Sequence, residues 1–166
     1  MRKKGTALAL AGLGALWLAG TASPATGVGD DIRRTTEPLL AGGSSGPGDV
    51  HATLRHLVEI ACDLGREARL PAPVQAKLEA ATAEARRLSP LDERSRAAVA
   101  EAYAALSDGR AFEFPASVHS IEGAKAYGRG QVDRGLAALS SGRRQEAARE
   151  LLGLVLLVIT PMEAKS

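Results

Sequence analysis

The sequence predicts an all-α protein, a small helical bundle of four to five antiparallel helices, and three observations predict it. Between Asp49 and Ile159, outside residues 110–119, apolar residues recur at steps of three and four, the spacing that keeps one helical face toward a core. Gly65, Ser89-Pro90, Asp108-Gly109 and Gly142 cut that stretch into pieces of ordinary helix length. Aromatic residues make up 3% of the chain, so its core must be built from Leu, Ala and Val, whose small side chains favour close helix packing but bury little area each. A length of 166 residues favours one domain.

The first stretch has the layout of a cleavable export signal. Arg2, Lys3 and Lys4 are followed by an apolar run, Ala7 to Leu18, and then by the small residues Ala19-Gly20-Thr21-Ala22-Ser23. Cleavage is expected after Ala22, and no cysteine follows the run to carry a lipid. The run is short of the roughly 20 apolar residues a membrane span needs. A buried N-terminal helix and an uncleaved anchor are the alternatives. The expected organisation is therefore a signal peptide over residues 1–22, a flexible N-terminal segment and linker over 23–48, a helical domain over 49–161 and a tail over 162–166. Export places the mature protein in the periplasm or outside the cell. The abundance of alanine, with arginine in place of lysine, suits a bacterial source rich in GC.

Export also changes the meaning of the charge. The chain carries +2 at pH 7, and loss of the three basic residues before Ala22 leaves about −1. No arginine-rich patch is interleaved with aromatics, so nucleic acid is not an expected partner. Cys62 is the one cysteine, so no intramolecular disulfide can form. It reads as a semi-buried small hydrophobe, with pairing between chains as the sharper alternative.

Taken in order, Asp30 to Leu40 is compatible with a short helix, and Gly42-Gly43-Ser44-Ser45-Gly46-Pro47-Gly48 reads as a linker. A first firm helix is expected from Asp49, as N-cap, to Gly65, with Val50, Leu54, Leu57, Val58, Ala61 and Leu64 on one stripe. A second starts near Pro71 or Pro73 and turns Val74, Leu78, Ala81, Ala85 and Leu88 inward. Ser89 then caps a third, with Pro90 at its first position, and Asp108-Gly109 stops it.

Residues 110–119 break the helical pattern. Phe112 and Phe114 alternate around Glu113, and Pro115 disfavours helix just before it. The segment reads as a loop pinned by two phenyl rings, or as a lip that contacts a partner. A fourth helix is expected from Ser120 to Ser140, with Ile121, Ala124, Gly128, Val132, Gly135, Leu136 and Leu139 facing inward. Gly123, Gly128, Gly130 and Gly135 each cost roughly 1 kcal/mol in a helix interior. They imply either very close helix contact or a break near Gly128 to Gly130. The fifth helix, Arg144 to Ile159, ends in nine residues without charge, too few to span a bilayer. It reads as the most buried helix of the bundle or as an oligomer contact.

No catalytic constellation is visible. His51 and His56 lie about 140° apart around a helix axis, and His51 and Cys62 about 16 Å apart along it, so neither pair forms one ligand set. There is no Cys-x-x-Cys, His-Glu-x-x-His, phosphate loop or Gly-x-Ser-x-Gly. His119 meets the other histidines only through tertiary packing. Glu59 with Asp63 reads as a solvated pair, and Asp92 with Glu93 as favourable charge at a helix start. Glycoside chemistry would require an acid in an aromatic-lined cleft, and few aromatics are present.

Gly135, Gly142, Glu146-Ala147 and Leu151 follow the layout of a tetratricopeptide repeat, with Pro161 about two residues later than that pattern places its proline. The run Leu139-Ser140-Ser141-Gly142-Arg143-Arg144-Gln145-Glu146-Ala147-Ala148 resembles that family's inter-helix turn. The resemblance covers about 35 residues, from Ala126 to Pro161. It implies a helical hairpin and, in stacked members, a concave peptide-binding face. Leu70-Pro71 through Leu88, and Ala137-Ala138 leading through Gly142-Arg143 into an apolar helix, are also similar to exported alanine-rich stress and chaperone-like bacterial proteins. These readings give an exported, non-enzymatic protein-binding, adaptor or chaperone-like protein with a protein partner or client. It is expected to have no cofactor, no metal and no membrane span in the mature chain, and a homo-oligomer is compatible with it. Candidate contact residues are Phe112, Phe114, Leu151, Leu152 and Val155. The alternatives are a structural subunit of an envelope complex, or a metal- or haem-binding stress sensor.

Overall fold

A computed structural model describes residues 24–40, 47–87 and 93–160. The signal peptide, its cleavage site, Ser89-Pro90 and the tail lie outside the described residues. The chain divides into two compact units, Met1–Asp31 and Ile32–Ser166.

All regular structure among the described residues is helical: α1 (Pro24–Leu40), α2 (Pro47–Ala68), α3 (Ala72–Ala85), α4 (Glu93–Leu106), α5 (Ile121–Ser140) and α6 (Arg144–Ile159). The five helices expected after residue 48 are α2 to α6. The short helix expected at Asp30 to Leu40 is the second half of α1, which reaches back to Pro24. From Ile32 onward α1 belongs to the larger unit and buries Ile32, Thr36 and Leu40 at four-residue steps.

Two boundaries differ from expectation, for physical reasons. Asp49 lies inside the first turn of α2, which starts at Pro47, a residue preorganised for a helix start. Gly65 does not end α2. A Cβ there would sit 2.5 Å from Leu78 Cδ1 and 2.7 Å from Gln75 Oε1, so the glycine permits the close approach of α3. The chain leaves α2 at Arg69, whose φ of 57° is left-handed, and Leu70 N–H donates to the Gly65 carbonyl at 3.4 Å. By contrast α4 stops where expected. Asp108 and Gly109 both take positive φ, and Gly109 N–H donates to the Ala104 carbonyl at 2.8 Å.

The core is a central helix with neighbours around it. α6 packs against α5, α2 and α4, while α3 closes the far side against α2 and α4. That position explains the uncharged second half of α6: Leu151 through Leu157 are all buried. α5 and α6 form the most extensive helix pair, a terminal hairpin turned at Gly142, with Arg143 N–H donating to the Ala138 carbonyl at 2.8 Å. α5 runs unbroken through its glycines. At Gly128 a Cβ would lie 3.0 Å from both Leu154 Cδ1 and Leu40 Cδ2, so close contact, and not a break, accounts for that glycine.

Exposed and half-buried ion pairs tie neighbouring helices at their rims: Arg86 to Glu59 at 2.8 Å, Lys77 to Glu101 at 2.8 Å, Arg144 to Glu67 at 3.0 Å and Arg134 to Glu150 at 3.4 Å. Pairs of this kind contribute up to about 1 kcal/mol each, so the core carries the stability.

Candidate protein-contact surface

A contact surface on a helical bundle needs apolar area that the bundle itself leaves uncovered. Among the described residues, the large apolar side chains exposed to solvent are Ile121, Tyr127 and Val158. All three belong to the terminal hairpin. Ile121 opens α5. Ser120 caps that helix, its Oγ accepting from Gly123 N–H at 3.0 Å. The cap fixes where the first turn starts and leaves Ile121 68% exposed. This corrects the expectation that Ile121 faces inward. The three-and-four spacing places it on the stripe, but the first turn overhangs the end of the core.

Val158 projects from the last turn of α6, 37% exposed. That turn is held by Thr160, whose N–H donates to the Leu156 carbonyl at 3.0 Å and whose Oγ1 donates to the same oxygen. Between Ile121 and Val158 lies a pocket of about 180 Å³, lined also by Leu39, Leu40, Ala124 and Leu157. An apolar cavity of about 150 Å³ accepts a benzene ring, so this pocket takes one branched aliphatic or aromatic side chain. Lys125, half-buried on its rim, has no carboxylate partner among the described residues. The pocket thus pairs an apolar floor with one positive charge.

Leu151, Leu152 and Val155 do not contribute to any such surface. Each is almost fully buried, because α6 is the helix that α2, α4 and α5 surround, and the contact role expected of them is corrected accordingly. Phe112 and Phe114 are half-buried in the α4–α5 connection. The Phe112 ring meets Tyr103 of α4 edge to face, with centroids 5.5 Å apart and planes at 89°. Val118 in the same segment is buried. These contacts favour the pinned-loop reading over the lip.

The titratable groups are dispersed. His51 and His56 are half-buried on α2, His119 is exposed ahead of α5, and His56 Nδ1 lies 3.7 Å from Glu59. Among the described residues no three His, Cys, Asp or Glu side chains are placed to hold a metal ion. Cys62 is buried, with Gln75 Nε2 3.5 Å from its sulfur, and burial pushes its thiol pKa up. A larger concavity of about 530 Å³ opens at the α5–α6 turn. There Arg143, Arg144 and Arg149 are matched by Glu67, Asp108 and Glu146, and each arginine is already ion-paired, so it offers little net field for a charged ligand.

No described helix is long and apolar enough to cross a membrane. Comparison of the chain with protein-family models, with curated proteins and with solved structures gives no match.

Proposed function

We propose that the chain is an exported, non-enzymatic helical protein that binds other proteins. Its contact site is the pocket between Ile121 and Val158. The observation that carries this reading is the coincidence of two exposed branched residues with a concavity sized for one apolar side chain. An aliphatic residue left in water at such a rim gains on burial roughly 25 cal/mol for each Å² covered. Lys125 adds a preference for a carboxylate next to that residue. The occupant is therefore a partner segment carrying a Leu, Ile or Phe beside an Asp or Glu. The tetratricopeptide-like layout of α5–α6 adds a family precedent for peptide binding.

The test is fluorescence anisotropy with a labelled peptide containing Leu-Glu in an otherwise Ser/Gly sequence, against the chain cut after Ala22. Saturable binding is expected, and Ile121→Asp with Val158→Asp should weaken it by at least about tenfold while leaving the melting temperature within a few degrees. Failure of the native chain to bind, or equal binding by the double variant, refutes the site. A fixed-stoichiometry complex in native mass spectra of envelope extract would instead support the structural-subunit reading.

A further inference from the structure

Leu40 and Thr160 both line the pocket between Ile121 and Val158, and each is the last described residue before a stretch that is not described. The stretch after Leu40, Ala41-Gly42-Gly43-Ser44-Ser45-Gly46, has no large apolar side chain and no charge. The stretch after Thr160, Pro161-Met162-Glu163-Ala164-Lys165-Ser166, carries one large apolar side chain, Met162, directly beside its one acid, Glu163, with Lys165 two positions further on. An apolar residue next to a carboxylate is the chemistry that the pocket and Lys125 select. The exit from α6 is also defined. Thr160 N–H and Oγ1 both donate to the Leu156 carbonyl, and the Thr160 backbone is extended, at φ −85° and ψ 122°, as the residue before a proline prefers. Two residues span at most about 7 Å, which tethers Met162 to the rim of the pocket. A methionine side chain is unbranched and polarizable and fills irregular gaps. A short tether presents it at an effective concentration of about millimolar, so a contact too weak to hold a free peptide is populated within one chain.

We propose that the pocket is plugged from within its own chain: the Met162 side chain enters it, the Glu163 carboxylate meets Lys125, and a partner segment binds by displacing both. The plug is an internal copy of the ligand, an apolar residue beside an acid, and it sets a threshold that a partner's own residue must exceed. The regulatory half rests on the protein-binding reading above. The docking of Met162 does not, and it is measured with no partner present.

Methionine methyl resonances of the full chain test the plug. The sequence holds Met1 and Met162, so carbon-13 methyl labelling gives two signals, and Met162→Ser identifies the second. The Met162 methyl should show nuclear Overhauser contacts to methyl groups of Ile121 or Leu157 in the same copy of the chain. Ile121→Asp should abolish them, and Glu163→Lys should weaken them at least about twofold. A Met162 signal at the free-methionine position without such contacts overturns the proposal. Contacts found only between differently labelled copies overturn it as well, since the plug would then come from a second copy. Contacts that Glu163→Lys leaves unchanged remove the Glu163–Lys125 pair from it. The regulatory half is read with the labelled Leu-Glu peptide, whose affinity should rise at least about threefold in Met162→Ser, because a pocket occupied part of the time binds a competitor proportionally less. Equal affinity overturns the regulation. If the peptide binds neither chain while the methyl contacts hold, the partner-binding reading falls and the plug stands. If it binds and the contacts are missing, the plug falls and the pocket remains a partner site.

Discussion

α6 and α1 are of similar length, yet they relate to the core in opposite ways. α6 has neighbours on three sides and buries every residue from Leu151 to Leu157. α1 belongs to none of the extensive helix pairs; in its C-terminal half it buries Ile32, Thr36 and Leu40, with Leu40 entering the space beside Gly128 and its carbonyl accepting from Arg129. The difference shows that being helical and being integral are separate properties. Periodicity sets the first, and the number of faces a helix has covered sets the second.

The comparison is broken most directly by truncating each helix at the point where they meet. Leu154→Ala in α6 should cost roughly 2–5 kcal/mol in urea unfolding, since the lost methyl groups leave a cavity in the centre of the bundle. Leu40→Ala, on the other side of Gly128, should cost less than half as much, because α1 belongs to none of the extensive helix pairs. Equal costs would make α1 as integral as α6. Next in size, Gly65→Val should cost about 1–3 kcal/mol, because its side chain would displace Leu78 and Gln75 at the α2–α3 contact. An unchanged midpoint would mean that Leu78 and Gln75 yield to the added side chain at little cost.

A smaller effect is expected from pH. Burial raises the Cys62 pKa above its unfolded value, so the native state retains the thiol proton that the unfolded chain gives up. Stability from this group is complete below the ordinary thiol range and declines as pH rises through it. Native Cys62 should also react with a thiol reagent far more slowly than the urea-unfolded chain, and equally fast labelling would show that α2 opens readily in the native state. The smallest effect is expected at acid pH. Glu79 is held below the usual carboxylate range by the Gln75 side chain and by Arg66. Its contribution is present above the unfolded carboxylate pKa and is lost as pH falls through the lower folded value. Exposure to solvent keeps that loss small, and a Glu79→Gln midpoint with an unchanged acid limb would remove it altogether.

Much of the bundle was legible because helix packing is local in sequence. The stripes of α2 and α3 named Leu54, Leu57, Val58, Leu78, Ala81 and Ala85, and all of these are buried. The uncharged end of α6 signals burial but not by what: a partner or the bundle itself could cover Leu151, Leu152 and Val155, and in the structure α2, α4 and α5 pack around that helix. Gly65 reads as a stop in the sequence because its reason for being glycine is Leu78, thirteen positions away. The candidate pocket was illegible for the same reason: Leu40, Ile121 and Val158 come from three helices. One local signal was available. An apolar residue directly after a serine cap stands on a first turn that extends beyond the core, and Ile121 is such a residue.

One core position links the helices in another way. The Gln131 side chain of α5 is buried opposite Gly153 of α6, where a Cβ would lie 2.8 Å from Gln131 Nε2 and 3.3 Å from Tyr103 Cε2. Its Oε1 has no hydrogen-bond partner among the described residues. A buried amide held against a glycine is costly unless the two are chosen together. Positions 103, 131 and 153 therefore share one volume to be divided among three side chains. In a lineage of such proteins they would drift as a set, a smaller residue at 131 allowing a larger one at 153. That covariation would trace descent in a chain whose individual helices, rich in alanine and leucine, carry little history of their own.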